Sequence, residues 1–253
     1  MEKNVAVVYG WYLLALVAVL YGGTAARLFW LAQRLGRSPI LFPRRGHSLQ
    51  AWLGRGCAAL ITGIPALAAI YVFAPEWYRH LGPLELNGID LRPALGLGSA
   101  HGVDLRPAPG LGSAGRKSAA WFAPWQPAGA ALATVGVVVC LVSQAYLGDS
   151  LRAGMHTRDR TRLVTSGLYR HVRHPMYSGM MTSLVGLFLL VPSVTSAVML
   201  VAGVAGYSFQ AGVEEAHLLA RHGEAYRQYL ARTGRFLPRW PGEGGMGEER
   251  GER

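Results

Sequence analysis

Charge is scarce in this chain, and acidic charge scarcest of all: 14 Asp and Glu stand against 25 Lys and Arg among 253 residues. Charged residues make up only 15% of the sequence and hydrophobic ones 51%, a balance that belongs to membrane proteins rather than to a soluble core. Cysteine is nearly missing. Cys57 and Cys140 both fall within apolar runs and lack the spacing of a redox or metal pair, so neither a disulfide framework nor a metal site is implied. No G-x-G-x-x-G follows a strand pattern, which removes a Rossmann-type nucleotide domain. The formal net charge of +11 raises nucleic acid as a partner. The arginines, however, lie in loops beside apolar runs, where the positive-inside bias accounts for them, and no zinc-knuckle or base-stacking pattern accompanies them. Nucleic acid is therefore set aside, and no segment marks an obligate protein partner.

Five apolar runs predict an all-α integral membrane protein of about five transmembrane helices. The first, Val5 to about Ala26, is long enough to cross a bilayer, and Phe29 and Trp30 follow it as interfacial anchors. Its poor basic start and missing small-x-small site favour a retained helix over a cleaved signal peptide. Six arginines (27, 34, 37, 44, 45 and 55) and no acidic residue follow, which predicts a cytoplasmic loop. Gly56 to Phe73 is the second span, interrupted by Pro65, and with the first it forms an N-terminal region, 1–73. Residues 74–127 form a non-cytoplasmic loop holding a tandem repeat of fourteen residues, NGIDLRPALGLGSA (87–100) and HGVDLRPAPGLGSA (101–114). Two Gly/Pro-rich copies cannot stack into a solenoid, so the repeat reads as an exposed insertion without chemistry.

The core, 128–240, carries the remaining spans: Ala128–Leu147, then Ser178–Val191 and Val194–Gln210 as a tight hairpin about Val191-Pro192-Ser193. Between Leu147 and Ser178 lies a second arginine-rich loop, again predicted to be cytoplasmic. It ends in LVTSGLYRHVRHPMYSG, Leu163 to Gly179, a cluster of imidazole, guanidinium and phenol groups at a membrane edge. Such a segment is costly to keep there unless it binds something. The hairpin returns Glu214 to the height of Tyr177. Gly206, Gln210 and Glu214 follow at i, i+4 and i+8, and Gly179 and Ser183 are small residues expected to let the two arms approach. For Gln210, an interhelical hydrogen bond and a substrate contact both stay open. Glu214 to Trp240 reads as one amphipathic surface helix, 214–232 at its core, followed by a disordered tail, 241–253.

These residues resemble the isoprenylcysteine carboxyl methyltransferase and phospholipid methyltransferase family. The pattern is carried by Gly167, Tyr169, Arg173, His174, Pro175, Tyr177 and Gly179, then Glu214 and Glu215, then Gly223, Tyr226, Tyr229 and Pro238. The resemblance implies an integral membrane methyltransferase, in the plasma (inner) membrane with its active site facing the cytoplasm, that uses S-adenosyl-L-methionine on a membrane lipid or other lipophilic acceptor. Carried over position by position, the cofactor contacts fall on Thr161, Arg162, Leu163, Val164, Tyr169, His174, Pro175, Met176, Tyr177 and Glu214. Arg173 and Glu214 are the candidate catalytic residues and Gln210 the candidate substrate contact. An isoprenylcysteine-type carboxylate is the first expected acceptor, with a phospholipid amine or a small thiol as alternatives. One departure bears on this choice. Carboxyl-methylating members of the family place an arginine where this chain has Gln210. A sterol-reductase-type enzyme using NADPH and a non-catalytic membrane scaffold are the competing classes.

Overall fold

The computed structural model describes residues 2–36, 63–74, 77, 123–151 and 163–239. The repeat, most of the first arginine-rich loop, part of the second (152–162) and the tail lie outside this set. Among the described residues the helices are α1 (Glu2–Leu35), α2 (Gly63–Phe73), α3 (Gln126–Leu147), α4 (Pro175–Leu190), α5 (Val194–His222) and α6 (Glu224–Arg232). Three of them, α1, α3 and α5, are long and apolar enough to cross a membrane, and α2 and α4 are shorter apolar helices. The all-α membrane architecture expected from the sequence is thus present.

Two boundaries differ from expectation. The first helix does not stop near Ala26 but runs through Arg27, Phe29 and Trp30 to Leu35. It runs through Gly22 and Gly23 and ends at Gly36, whose φ of +63° is the left-handed turn that suits a glycine after a helix end. The expected surface helix from Glu214 is likewise two pieces. Its first part, with Glu214 and Glu215, continues the hairpin's second arm without a break through Gly212, and the helix ends only at Gly223 (φ +52°). Its second part is α6. After α6 the chain bends across the motif loop as a strap from Thr233 to Arg239.

The α3–α4 pair forms the tightest seam. A Cβ built on Gly136 would stand 2.5 Å from the Gly179 carbonyl oxygen, and one on Gly179 would stand 2.7 Å from the Gly136 carbonyl. One turn-pair away, a Cβ on Gly186 would stand 2.6 Å from the Gly129 carbonyl. Backbone therefore meets backbone along two antiparallel helices, which only glycine permits. Gly179 serves this seam rather than the hairpin's two arms, and Gly206 has nothing within 4 Å, so the expected small-residue contact between α4 and α5 is replaced by a contact with α3. The reason lies in α3, whose own glycines match those of α4 in spacing.

Helix α1 packs parallel to α3. The Tyr12 hydroxyl donates to the Ala130 carbonyl (3.1 Å) near one end, and Gln144 donates to Thr24 (2.9 Å) towards the other. At that second end Arg34 pairs with Asp149 at 3.4 Å. The starts of both arginine-rich loops, the motif loop and Glu214 all gather there.

Helix α5, with 29 residues, rises about 43 Å, while α4, with 16, rises about 24 Å, against a hydrocarbon core of about 30 Å. The last turns of α5 therefore stand beyond the apolar layer, and the motif loop at the start of α4 is drawn down towards it. The hairpin's far end is closed by a capping box: Ser196 N donates to Ser193 Oγ (3.1 Å) and Ser193 N donates to Ser196 Oγ (3.0 Å).

Replacing Gly136 with Leu forces α3 and α4 apart and should cost about 1–3 kcal/mol by overpacking. Thermal unfolding in detergent micelles should show a clear fall in midpoint for Gly136→Leu. Gly22→Ala, at a position with open space around it, should leave the midpoint unchanged or slightly raised.

Candidate functional site at the membrane edge

The motif loop enters through Gly167, whose φ of +59° and lack of a side chain fit it beneath the Tyr146 ring at the end of α3. A 3-10 turn, Gly167–Arg170, then presents Tyr169 inward, buried to 7% exposure. Tyr229 of α6 donates its hydroxyl to the Tyr169 carbonyl at 2.6 Å, so α6 closes over the turn. Burial, and then the nearby Glu214 carboxylate, pushes the Tyr169 phenol well above its ordinary value. Pro175 sits at the first position of α4, where its missing N–H costs nothing, and His174 immediately precedes it as the cap residue.

The strap binds the loop by backbone. Arg173 N donates to the Gly234 carbonyl (2.9 Å) and His174 N to the Arg235 carbonyl (3.1 Å), around a parallel bridge between Val172 and Gly234. Ser178 Oγ donates to the Phe236 carbonyl at 2.6 Å. Three parts of the chain that are distant in sequence thus converge: the motif loop, the upper part of α5, and the strap.

At their meeting point stand two neighbouring carboxylates with unlike surroundings. Glu215 accepts from Arg173 Nε (2.9 Å) and from Arg235 through two nitrogens, Nη2 at 2.9 Å and Nε at 3.2 Å. His174 Nε2 also reaches it at 3.2 Å. The Arg173 guanidinium is further occupied by the Leu230 carbonyl (3.2 Å) and the Thr233 carbonyl. Glu214, in contrast, takes a hydrogen bond from the Tyr177 hydroxyl and a longer one from Gln210 Nε2 (3.3 Å), with His174 Nδ1 at 3.6 Å. It keeps 31% of its side-chain surface, against 17% for Glu215 and 6% for His174. The His174 and Tyr177 rings stack 5.5 Å apart, and Tyr177 in turn stacks on Tyr207 at 5.4 Å.

Burial lowers the His174 imidazole to about 4; Glu215 opposes the shift, and Arg235 and Arg173 add to it. The ring is therefore neutral, and its one proton sits best on Nε2, towards the nearer carboxylate. An open cavity of about 630 Å³ lies on the strap side of the cluster, with Arg173, Arg235 and Arg239 in its lining.

Of the residues expected from the sequence, Tyr169, Arg173, His174, Tyr177, Gln210 and Glu214 are brought together. Pro175 and Met176 are in the first turn of α4, and Leu163 and Val164 are half-buried in the approach to the 3-10 turn. Thr161 and Arg162 lie outside the described residues. Gln210 makes its hydrogen bond along its own helix rather than across to another. Glu215 and Arg235 were not among the expected site residues, yet they hold its centre. For Glu215 the adjacent Glu214 was a signal, whereas nothing local distinguishes Arg235 from the other arginines. Among the described residues, no group of three or more His, Cys, Asp or Glu side chains is placed to hold a metal ion.

Between pH 6.5 and 4 the unfolded chain protonates His174 while the folded chain does not, so acidification favours unfolding. The His174 contribution should be constant above pH 6.5 and be lost progressively as pH falls towards 4. Thermal midpoints measured across that window should fall more steeply for the native protein than for His174→Gln.

Residues 125–225 match the family model described as phospholipid methyltransferase. The nickel-cobalt-cadmium resistance protein NccN of Alcaligenes xylosoxydans xylosoxydans is 34% identical over 111 residues, covering 44% of this chain and 47% of that protein. The chain therefore spans about half the length of this curated relative. The stretch that resembles the phospholipid methyltransferase model holds the motif loop, the helical hairpin and both carboxylates.

Proposed function

We propose that this site transfers a methyl group from S-adenosyl-L-methionine to a lipophilic acceptor that reaches it from the bilayer, on the cytoplasmic side of the membrane. The unequal surroundings of the two carboxylates carry the proposal. Glu215 is neutralised by two guanidinium groups, whereas Glu214 has only neutral donors and remains partly open. A carboxylate so placed is suited to a cationic ligand, and the stacked His174, Tyr177 and Tyr207 rings supply aromatic faces beside it. The residues present therefore fit a ligand that combines an ammonium, a sulfonium and an aromatic base.

When bound, S-adenosyl-L-methionine supplies an activated methyl group on a good leaving group. What remains for the protein is orientation, which is worth more here than acid–base catalysis. Glu214 compensates positive charge, Tyr177 and Gln210 fix the direction of its carboxylate, and the Tyr169 turn with α6 excludes water. Arg173 holds Glu215 and the strap, which makes it a positioning residue, while Glu214 is the group proposed to touch the ligand. The apolar flanks of α4 and α5 keep the local dielectric low, which favours transfer to an acceptor that attacks as an anion, as a thiolate does, and is neutral in this respect for an amine.

On the acceptor side, the neutral amide of Gln210 offers no charge to balance a carboxylate. This favours an amine-bearing lipid or a thiol over an isoprenylcysteine carboxylate, in keeping with the phospholipid methyltransferase match.

Calorimetry on protein in nanodiscs should show saturable binding of S-adenosylhomocysteine and none of NADPH, and Glu214→Gln should weaken that binding at least tenfold. No heat with the first ligand, or binding of the second, would overturn the proposal. With labelled cofactor and native lipid extracts, mass spectrometry should then find label in a lipid fraction.

A further inference from the structure

The strap lies beyond the family match, which ends at residue 225, yet it delivers one of the two guanidinium groups on Glu215. The charges at this point are few and close. His174 faces Glu214 and Glu215 on α5, Arg173 beside it in the loop, Arg235 and the Phe236 ring on the strap, and Tyr177 on α4. With a neutral imidazole, two carboxylates balance two guanidinium groups. Without Arg235 the same pocket would hold one uncompensated negative charge. Besides the carboxylates themselves, the group placed to take up a proton and balance that charge is His174, whose two nitrogens stand 3.2 Å from Glu215 and 3.6 Å from Glu214.

We propose that Arg235 is a positioning residue which, by saturating Glu215 from the strap, keeps the His174 imidazole uncharged and so leaves Glu214 open to a cationic ligand. This rests on the proposed role of Glu214 for its consequence in binding, but not for its consequence in the charge state of His174. A protonated His174 would occupy Glu214 itself, through Nδ1, and compete with the ligand's positive charge. Arg235 thus acts on the ligand through two intermediaries without touching it. Its grip is two-pronged, so the plane of the guanidinium as well as its charge fixes the Glu215 carboxylate.

The test is a titration of His174 by NMR in nanodiscs, with histidine labelled at 13Cε1 and the resonance assigned by its absence in His174→Gln. In the native protein His174 should stay unprotonated down to about pH 5; a midpoint near 6.5 overturns the proposal without any variant. In Arg235→Gln the midpoint should rise towards neutrality. In Arg235→Lys, which keeps the charge, it should stay low. The double variant Arg235→Gln/Glu215→Gln, which removes one charge of each sign, should also stay low. Affinity for S-adenosylhomocysteine should fall at least tenfold in Arg235→Gln at pH 6 and recover at pH 8. An equal loss at both pH values, with His174 unmoved, would reduce Arg235 to a structural tie and overturn the proposal. If His174 moves as described while no variant and no native protein binds the ligand, the proposed function fails and the role of Arg235 stands.

Discussion

Everything at the membrane edge hangs on the Glu215 carboxylate. It is mostly buried, and it is held by two guanidinium groups that come from the motif loop and from the strap, about sixty residues apart in the chain. A carboxylate in that position is costly to desolvate, and it is tolerable only because both of its oxygens are occupied by charge-assisted hydrogen bonds. Removing one partner from such a group typically costs about 3–5 kcal/mol. The energy here does not come from the ion pairs alone. The same segments are stitched by Arg173 N and His174 N to strap carbonyls and by Ser178 to Phe236, so the charges close a frame that the backbone has already aligned.

Below this frame, the glycine seam sets where the frame stands. Because α3 and α4 meet backbone to backbone at Gly136 and Gly179, the start of α4 is fixed against α3, and the motif loop is stretched between two rigid points. The unequal lengths of the hairpin arms do the rest. A short α4 and a long α5 put a loop that is rich in polar groups beside a helix face that has already left the apolar layer. Polar chemistry and lipid access are thereby joined at one level, which neither a fully buried bundle nor a surface loop would allow.

Much of this was legible in the sequence, in places where a local signal has a local cause. The hairpin could be read because proline and serine between two apolar runs leave the chain few alternatives, and the motif loop because polar residues at a membrane edge need a reason. The family pattern marked Tyr169, His174 and Glu214, and the structure does gather them. What could not be read depended on partners. Hydropathy falls after Gln210 because the surroundings of α5 change there, not because the helix ends, and so α5 and α6 were run into one wrongly bounded surface helix. Gly179 was assigned to the wrong neighbour because small residues announce closeness without saying to what. Arg235 carried no mark at all, since its value lies in the position of Glu215, twenty residues earlier in the chain and across a glycine turn.

The serine cap at the hairpin's far end has a consequence for how the molecule sits in a bilayer. Ser193 and Ser196 are fully buried, and they satisfy each other and the Val191 carbonyl, to which Ser196 Oγ donates at 2.6 Å. These two hydroxyls therefore need neither water nor headgroups to complete their hydrogen bonds, which suits a turn lying below the far interface. A bilayer that thickens or thins can take up the mismatch at that submerged turn, at modest cost per ångström. The polar cluster at the other end keeps its depth. The polar edge is in this sense moored, and the hairpin is the slack in the line.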